Sequence, residues 1–179
     1  LCQFKPSTPA PLTYLFGVLY FKLRHTYAIN TLRFSIAQHS LSGSRAMQTS
    51  TINYQPPIDI VEQFIACWNH RDFDALMEFL SDDIEYHNIP MPMLRGKSAV
   101  RDFIAPFKHV SAIEWVVHHI ASSQQTVLTE RTDNFMFANG RTLSLPVMGT
   151  FEVRGQLICQ WRDYFDLLDF QRQMQAIED

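Results

Sequence analysis

The sequence predicts an α+β fold, with helices packed on one face of a strongly curved sheet. Three observations carry this. Apolar residues recur at helical spacing through the segments around residues 57–68, 73–80 and 100–107. Four extended runs then follow, about residues 111–121, 126–138, 142–153 and 157–166. A last amphipathic segment closes the chain. Helices first and a long antiparallel meander after them segregate the helices to one side of the sheet. Curvature makes the concave face a cup.

Each element has its own signal. Pro56-Pro57 opens the first helix, in which Ile58, Val61, Phe64, Ile65 and Trp68 share a face. Phe73, Leu76, Met77 and Leu80 repeat the spacing in a short second helix. Ser81-Asp82-Asp83 breaks into a strand over Ile84–Ile89, whose alternation puts Ile84, Tyr86 and Asn88 on one side. Pro90, Pro92 and Gly96 mark an irregular loop. Val100, Phe103, Ile104 and Phe107 form the stripe of a third helix. Asn139-Gly140 and Arg154-Gly155 are hairpin turns between strands. Leu143, Leu145, Val147, Gly149, Phe151 and Val153 alternate along the third run. Leu167, Phe170, Met174 and Ile177 give the closing helix its apolar face.

Residues 1–46 are a different object. They hold five basic residues (Lys5, Lys22, Arg24, Arg33, Arg45) and no acid, whereas residues 47–179 carry ten basic and eighteen acidic ones. Three readings compete for this leader: a targeting peptide, a signal-peptide core over Leu12–Leu23, or translated sequence upstream of a start at Met47. The third is favoured, and the leader is set apart from the fold. The apolar run is too short to span a bilayer. Residues 47–179 are expected to form one domain with a hydrophobic core, the whole chain being 46% hydrophobic. The acidic balance of this domain argues against a nucleic-acid partner. Cys2, Cys67 and Cys159 are too few and too widely spaced for a disulfide framework or a zinc site, which suits a cytoplasmic, reducing setting.

Two strands carry charge where apolar residues are expected. In the second extended run Val127, Thr129, Arg131, Asp133, Phe135 and Phe137 alternate onto one face. In the fourth, Leu157, Cys159, Trp161, Asp163 and Phe165 do the same. A buried charge is costly unless paired, so Arg131, Asp133 and Asp163 are expected to meet. Two carboxylates on one guanidinium in an apolar pocket suit proton transfer. The same pattern also fits a purely structural ion pair. Tyr86 and Asn88, both neutral and facing inward, are suited to holding a water molecule. Arg162 points away from Asp163, and Asp166 and Asp169 read as helix-start acids. The histidines lack metal-ligand spacing, and no Gly-x-Ser-x-Gly elbow or glycine-rich phosphate loop is present.

Tyr86-x-Asn88, then Glu130-Arg131-x-Asp133, then Trp161-Arg162-Asp163-Tyr164-Phe165-Asp166, in this order, resemble the limonene-1,2-epoxide hydrolase family. The resemblance runs from about Ile58 to the C-terminus. It implies a curved mixed or antiparallel sheet forming a cone, shared with nuclear transport factor 2, ketosteroid isomerase and scytalone dehydratase and akin to the cystatin-like folds. It also implies a homodimer, no cofactor, and hydrolysis of an epoxide to a vicinal diol. The five functional positions of that family are matched by Tyr86, Asn88, Arg131, Asp133 and Asp163. The Met91-Pro92-Met93-Leu94 loop and the pocket lining differ, which leaves the substrate open.

Opening an epoxide with water needs a base for the water and an acid for the departing oxygen. Asp163 is the expected base, with Tyr86 and Asn88 aiming its water. Asp133 is the expected acid, and Arg131 bridges the two. The reaction is expected to proceed in one step on a hydrophobic cyclic or terpene-like epoxide, with no membrane partner. Two rivals stand beside it: an isomerase or cyclase of the same cup, and a non-catalytic small-molecule binding or dimerisation module.

Overall fold

The first helix begins where proline is best tolerated, with Pro57 in its first turn and Asp59 beside the helix N-terminus. In this computed structural model, which describes residues 55–178, that helix is α1, Pro57–His70. The readings of the leader, residues 1–46, lie outside the described residues. Helix α1 buries Ile60, Val61, Phe64, Ile65 and Trp68. It ends at Arg71, whose left-handed backbone (φ 57°) lets its N–H bond back to Cys67 and Trp68. The Arg71 side chain then donates to the carbonyls of Ser111 (3.0 Å) and Lys108 (2.8 Å), tying the helix end to the start of the meander.

Asp72 caps α2, Phe73–Glu78, its Oδ1 accepting the Ala75 N–H at 3.0 Å. Strand β1 covers Leu80–Asn88 and so begins earlier than the sequence suggests. Ser81-Asp82-Asp83 belongs to the strand and is not the break that precedes it. It stays extended, and the pairing register shifts between Leu80 and Glu85 to absorb it. A two-residue strand β2, Leu94–Arg95, pairs antiparallel with β1 inside the proline-containing loop, a contact no periodicity announces. Helix α3, Lys97–Ile104, tightens into a 3₁₀ segment over Ala105–His109, so Phe107 lies beyond the regular helix.

The four long strands follow as expected: β3 Ala112–Ser123, β4 Thr126–Met136, β5 Thr142–Arg154 and β6 Leu157–Tyr164. Helix α4, Leu167–Glu178, closes the chain. Asp166 caps it by accepting the N–H groups of Leu168 (2.8 Å) and Asp169 (3.0 Å). The β5–β6 hairpin turns on Gly155 and Gln156, both at positive φ, one residue later than the Arg154-Gly155 expectation.

The sheet order is β2-β1-β6-β5-β4-β3. Strands β3 to β6 are antiparallel neighbours, while β1 joins β6 in parallel, so the sheet is mixed. Helix α1 lies against β3, β4 and β6, which requires the sheet to curl around it. An aromatic stack fills the join. Trp68 of α1 lies parallel to Trp115 of β3 at 4.7 Å, and Trp161 of β6 lies parallel to Tyr86 of β1 at 3.8 Å.

One expected face needs correction. Leu157 and Cys159 do not share the inner face with Trp161 and Asp163. Val153 pairs with Ile158 and Glu152 with Gln160, so Cys159 is the extra residue of a bulge. Ile158 is buried instead, and Cys159 is half-buried with its Sγ 3.4 Å from the Glu152 carbonyl. The bulge resets the alternation in time for Trp161 and Asp163 to face inward.

Candidate functional site

Strand geometry alone brings the charged residues together. On β4, Thr129, Arg131 and Asp133 project to the same side because alternate residues share a face. All three are buried, Arg131 being 1% exposed. An unpaired guanidinium at that depth would be strongly destabilising. Arg131 answers this with nearly its whole donor set. Nε donates to Asp133 Oδ1 at 2.8 Å and Nη2 to Asp133 Oδ2 at 3.2 Å, a two-pronged pair. Nη1 donates to Thr129 Oγ1 at 3.1 Å. Nη2 also lies 2.8 Å from Oδ1 of Asp163 on β6, an ion pair without the alignment of a hydrogen bond. The guanidinium carbon sits 4.4 Å from the Trp115 ring centroid, adding a cation–π contact on one face.

Cross-strand register explains why Asp163 arrives there. Thr129 of β4 pairs with Gly149 of β5, Gly149 with Asp163 of β6, and Asp163 with Asn88 of β1. These four positions form one row across the sheet. The next row carries Val127, Phe151, Trp161 and Tyr86. Gly149 has ordinary strand backbone, so its value is spatial. A Cβ there would overlap Arg131 Nη1 and stand 2.6 Å from Thr129 Oγ1 and 3.1 Å from Asp163 Oδ1. Only a residue without a side chain leaves room for the guanidinium between β4 and β6.

Tyr86 and Asn88 meet as well, the Tyr86 hydroxyl donating to Asn88 Oδ1 at 3.0 Å. This leaves the Asn88 amide as a donor and the Tyr86 oxygen as an acceptor. All five residues singled out in the sequence are therefore gathered in two adjacent groups: Arg131, Asp133 and Asp163 in one, Tyr86 and Asn88 in the other. Arg162 points elsewhere, pairing with Glu152 at 2.7 Å.

Burial acts on both carboxylates. Burial pushes the Asp133 carboxyl up to about 7, against the pull of the Arg131 charge and with added repulsion from Asp163. Burial also raises Asp163, opposed chiefly by the charge of Arg131, and the repulsion between the two carboxylates is mutual. The pair titrates as a coupled unit, in which one negative charge opposes the formation of the second. Arg131 stays charged, since the two carboxylates outweigh its own burial. Burial, and then the negative charge of Asp163, hold the Tyr86 phenol far above its ordinary value. The unit can carry one proton and one negative charge side by side near neutrality.

An apolar pocket, partly open to solvent, lies against this unit. Its wall includes Tyr86, Asn88, Phe103, Phe107, Trp115 and Leu145. The carboxylates themselves are one step back: Leu145 and Trp115 are the strand partners of Asp133, as Asn88 is of Asp163. Among the described residues no cluster of His, Cys, Asp and Glu is suited to a metal ion, and no helix is long and apolar enough to cross a membrane.

Three contributors escape a reading of the sequence. Trp115 looks like any strand aromatic until β3 is placed beside Arg131. Thr129 is legible as an inward residue, with no sign that its hydroxyl meets a guanidinium. Gly149 reads as one more member of an alternating run, and its isolation among Leu, Val and Phe was the available signal.

Fold and site together define a cup-shaped α+β protein with a buried carboxylate–guanidinium–carboxylate unit beside an apolar pocket. The family model for the limonene-1,2-epoxide hydrolase catalytic domain matches residues 55–176, and the chain belongs to that epoxide hydrolase family. It is 34% identical over 109 residues to epoxide hydrolase EphG of Mycobacterium tuberculosis, a stretch covering 61% of this chain and 72% of that protein. The solved structure of a limonene-epoxide-hydrolase-like epoxide hydrolase from the same organism superposes with a TM-score of 0.60 at 31% identity. That match covers 67% of this chain and 90% of the other. A putative polyketide cyclase from Xanthomonas campestris pv. campestris shares the fold alone, with a TM-score of 0.57 at 21% identity over 66% of this chain and 96% of its own.

Proposed function

We propose that this protein adds water to a hydrophobic epoxide in a single step, giving a vicinal diol without a cofactor. The observation that supports it most is Arg131 lying between Asp133 and Asp163, with burial raising both carboxyls and Asp133 near 7.

In this reading Asp163 is the base. Its water accepts a hydrogen bond from the Asn88 amide, donates one to the Tyr86 oxygen and gives its other proton to Asp163. The freed lone pair attacks a ring carbon, the C–O bond breaks, and Asp133 delivers a proton to the departing oxygen. The unit has then taken one proton and given one, so Asp163 must pass a proton to Asp133 to reset. Arg131, touching both carboxylates, stabilises the negative charge through the cycle. The pocket wall is mostly aromatic and aliphatic, so it suits an epoxide whose remaining surface is apolar, such as a cyclic alkene or terpene oxide.

The test is diol formation from a panel of cyclic epoxides by the full chain, beside Asp163→Asn and Asp133→Asn. Turnover by the parent with a loss of about 10²–10⁴ in each variant supports the assignment. A single turnover in ¹⁸O water distinguishes the routes: one-step hydrolysis labels the diol, whereas an ester intermediate labels an aspartate. Label in Asp163 or Asp133 would overturn the one-step scheme.

A further inference from the structure

The row Thr129–Gly149–Asp163 places a hydroxyl and a missing side chain directly under the guanidinium that both carboxylates share. We propose that Thr129 and Gly149 are positioning residues: they seat Arg131 where it can touch Asp133 and Asp163 together. The proposal rests on the epoxide hydrolase reading for its catalytic consequence, though not for its geometry.

Thr129 and Gly149 constrain Arg131 besides its carboxylates and the Trp115 ring. Thr129 Oγ1 takes the Nη1 donor at 3.1 Å, and Thr129 is fully buried, so no solvent can replace that acceptor. Gly149 supplies the space. Adding one carbon there overlaps Nη1 and crowds Thr129 Oγ1 and Asp163 Oδ1 at once. Neither residue contributes a group that could react. Their effect travels through Arg131, whose charge holds down both carboxyls. The titratable groups meeting here are Arg131 and Asp133 from β4, Asp163 from β6 and Tyr86 from β1. Moving the guanidinium away from them raises both carboxyls together, which moves a rate profile to higher pH and does not merely lower it.

The experiment compares Thr129→Val, which keeps shape and loses the acceptor, with Thr129→Ser, which keeps the acceptor, both in the full chain. Two quantities are read: the pH profile of kcat/KM for diol formation, and the ¹³C-carboxyl titrations of the buried aspartates by NMR. In Thr129→Val both limbs and both titrations move up by about half a pH unit or more, and kcat falls about tenfold. In Thr129→Ser they stay at the parent's positions. Gly149→Ala, where it folds, shifts them further. Limbs and titrations that stay put in Thr129→Val overturn the proposal, whatever its stability. A parent that makes no diol at all defeats the epoxide hydrolase reading instead. The carboxyl titrations then still decide on the seat.

Discussion

At the scale of single residues, the chemistry turns on which carboxylate holds the proton. Asp133 lies near 7 because burial outweighs the attraction of Arg131. As the acid it acts only while protonated, so kcat/KM is expected to fall as pH rises through about 7. Asp163 must be ionised, so activity is also lost toward acid, and the profile is a bell. An alkaline limb absent up to pH 9 would remove Asp133 from the acid role. Arg131 carries a second prediction. Lysine keeps the charge but cannot reach Asp133, Asp163 and Thr129 from one planar group. Arg131→Lys is expected to cost about 1–3 kcal/mol in chemical denaturation and most of the turnover. Arg131, Asp133 and Asp163 were legible because a charge recurring on an apolar strand face is conspicuous, and Tyr86 and Asn88 because alternation from Ile84 turns them inward. Gly149 was not, because nothing local distinguishes a glycine needed for space from one that is simply tolerated.

At the scale of elements, each strand or helix carries its own boundary chemistry. Asp72 capping α2 is one instance: Asp72→Ala is expected to lower stability by about 1 kcal/mol while leaving the activity of the folded protein intact. A thermal melt paired with a turnover assay checks both halves. The bulge at Cys159 is another. Alternation from Leu157 puts Cys159 inside, yet Ile158 is the buried residue, since the extra residue resets the phase before Trp161. Asp163 faced inward under either reading. Asp163 therefore reaches the site although Ile158, and not Leu157 or Cys159, is the inward residue at the start of β6.

At the scale of the whole molecule, the outer face of the sheet is conspicuous. Leu128, Met148 and Tyr164 stand about half exposed on β4, β5 and β6, with Met148 paired to Tyr164 across the strands. They stand among charged neighbours, Glu130 opposite Met148 and Arg162 two residues from Tyr164, and apolar groups with a polar surround suit an interface between copies of the chain. We propose a homodimer formed there. Met148→Glu places a charge in that surface and is expected to yield monomers in analytical ultracentrifugation. A parent that sediments as a monomer at micromolar concentration would refute this.

The sequence by itself determined the α+β class, the order of helices and meander, and the inward set Tyr86, Asn88, Arg131, Asp133 and Asp163. All of these follow from short-range periodicity, where neighbours a few residues apart dictate which face a side chain takes. Only the tertiary structure decided that β1 lies parallel to β6, that Trp115 covers Arg131, and that Gly149 opens the space beneath the guanidinium. Those are contacts between segments far apart in the chain. Their partners are chosen by how the curled sheet closes around α1, and no local pattern encodes that choice.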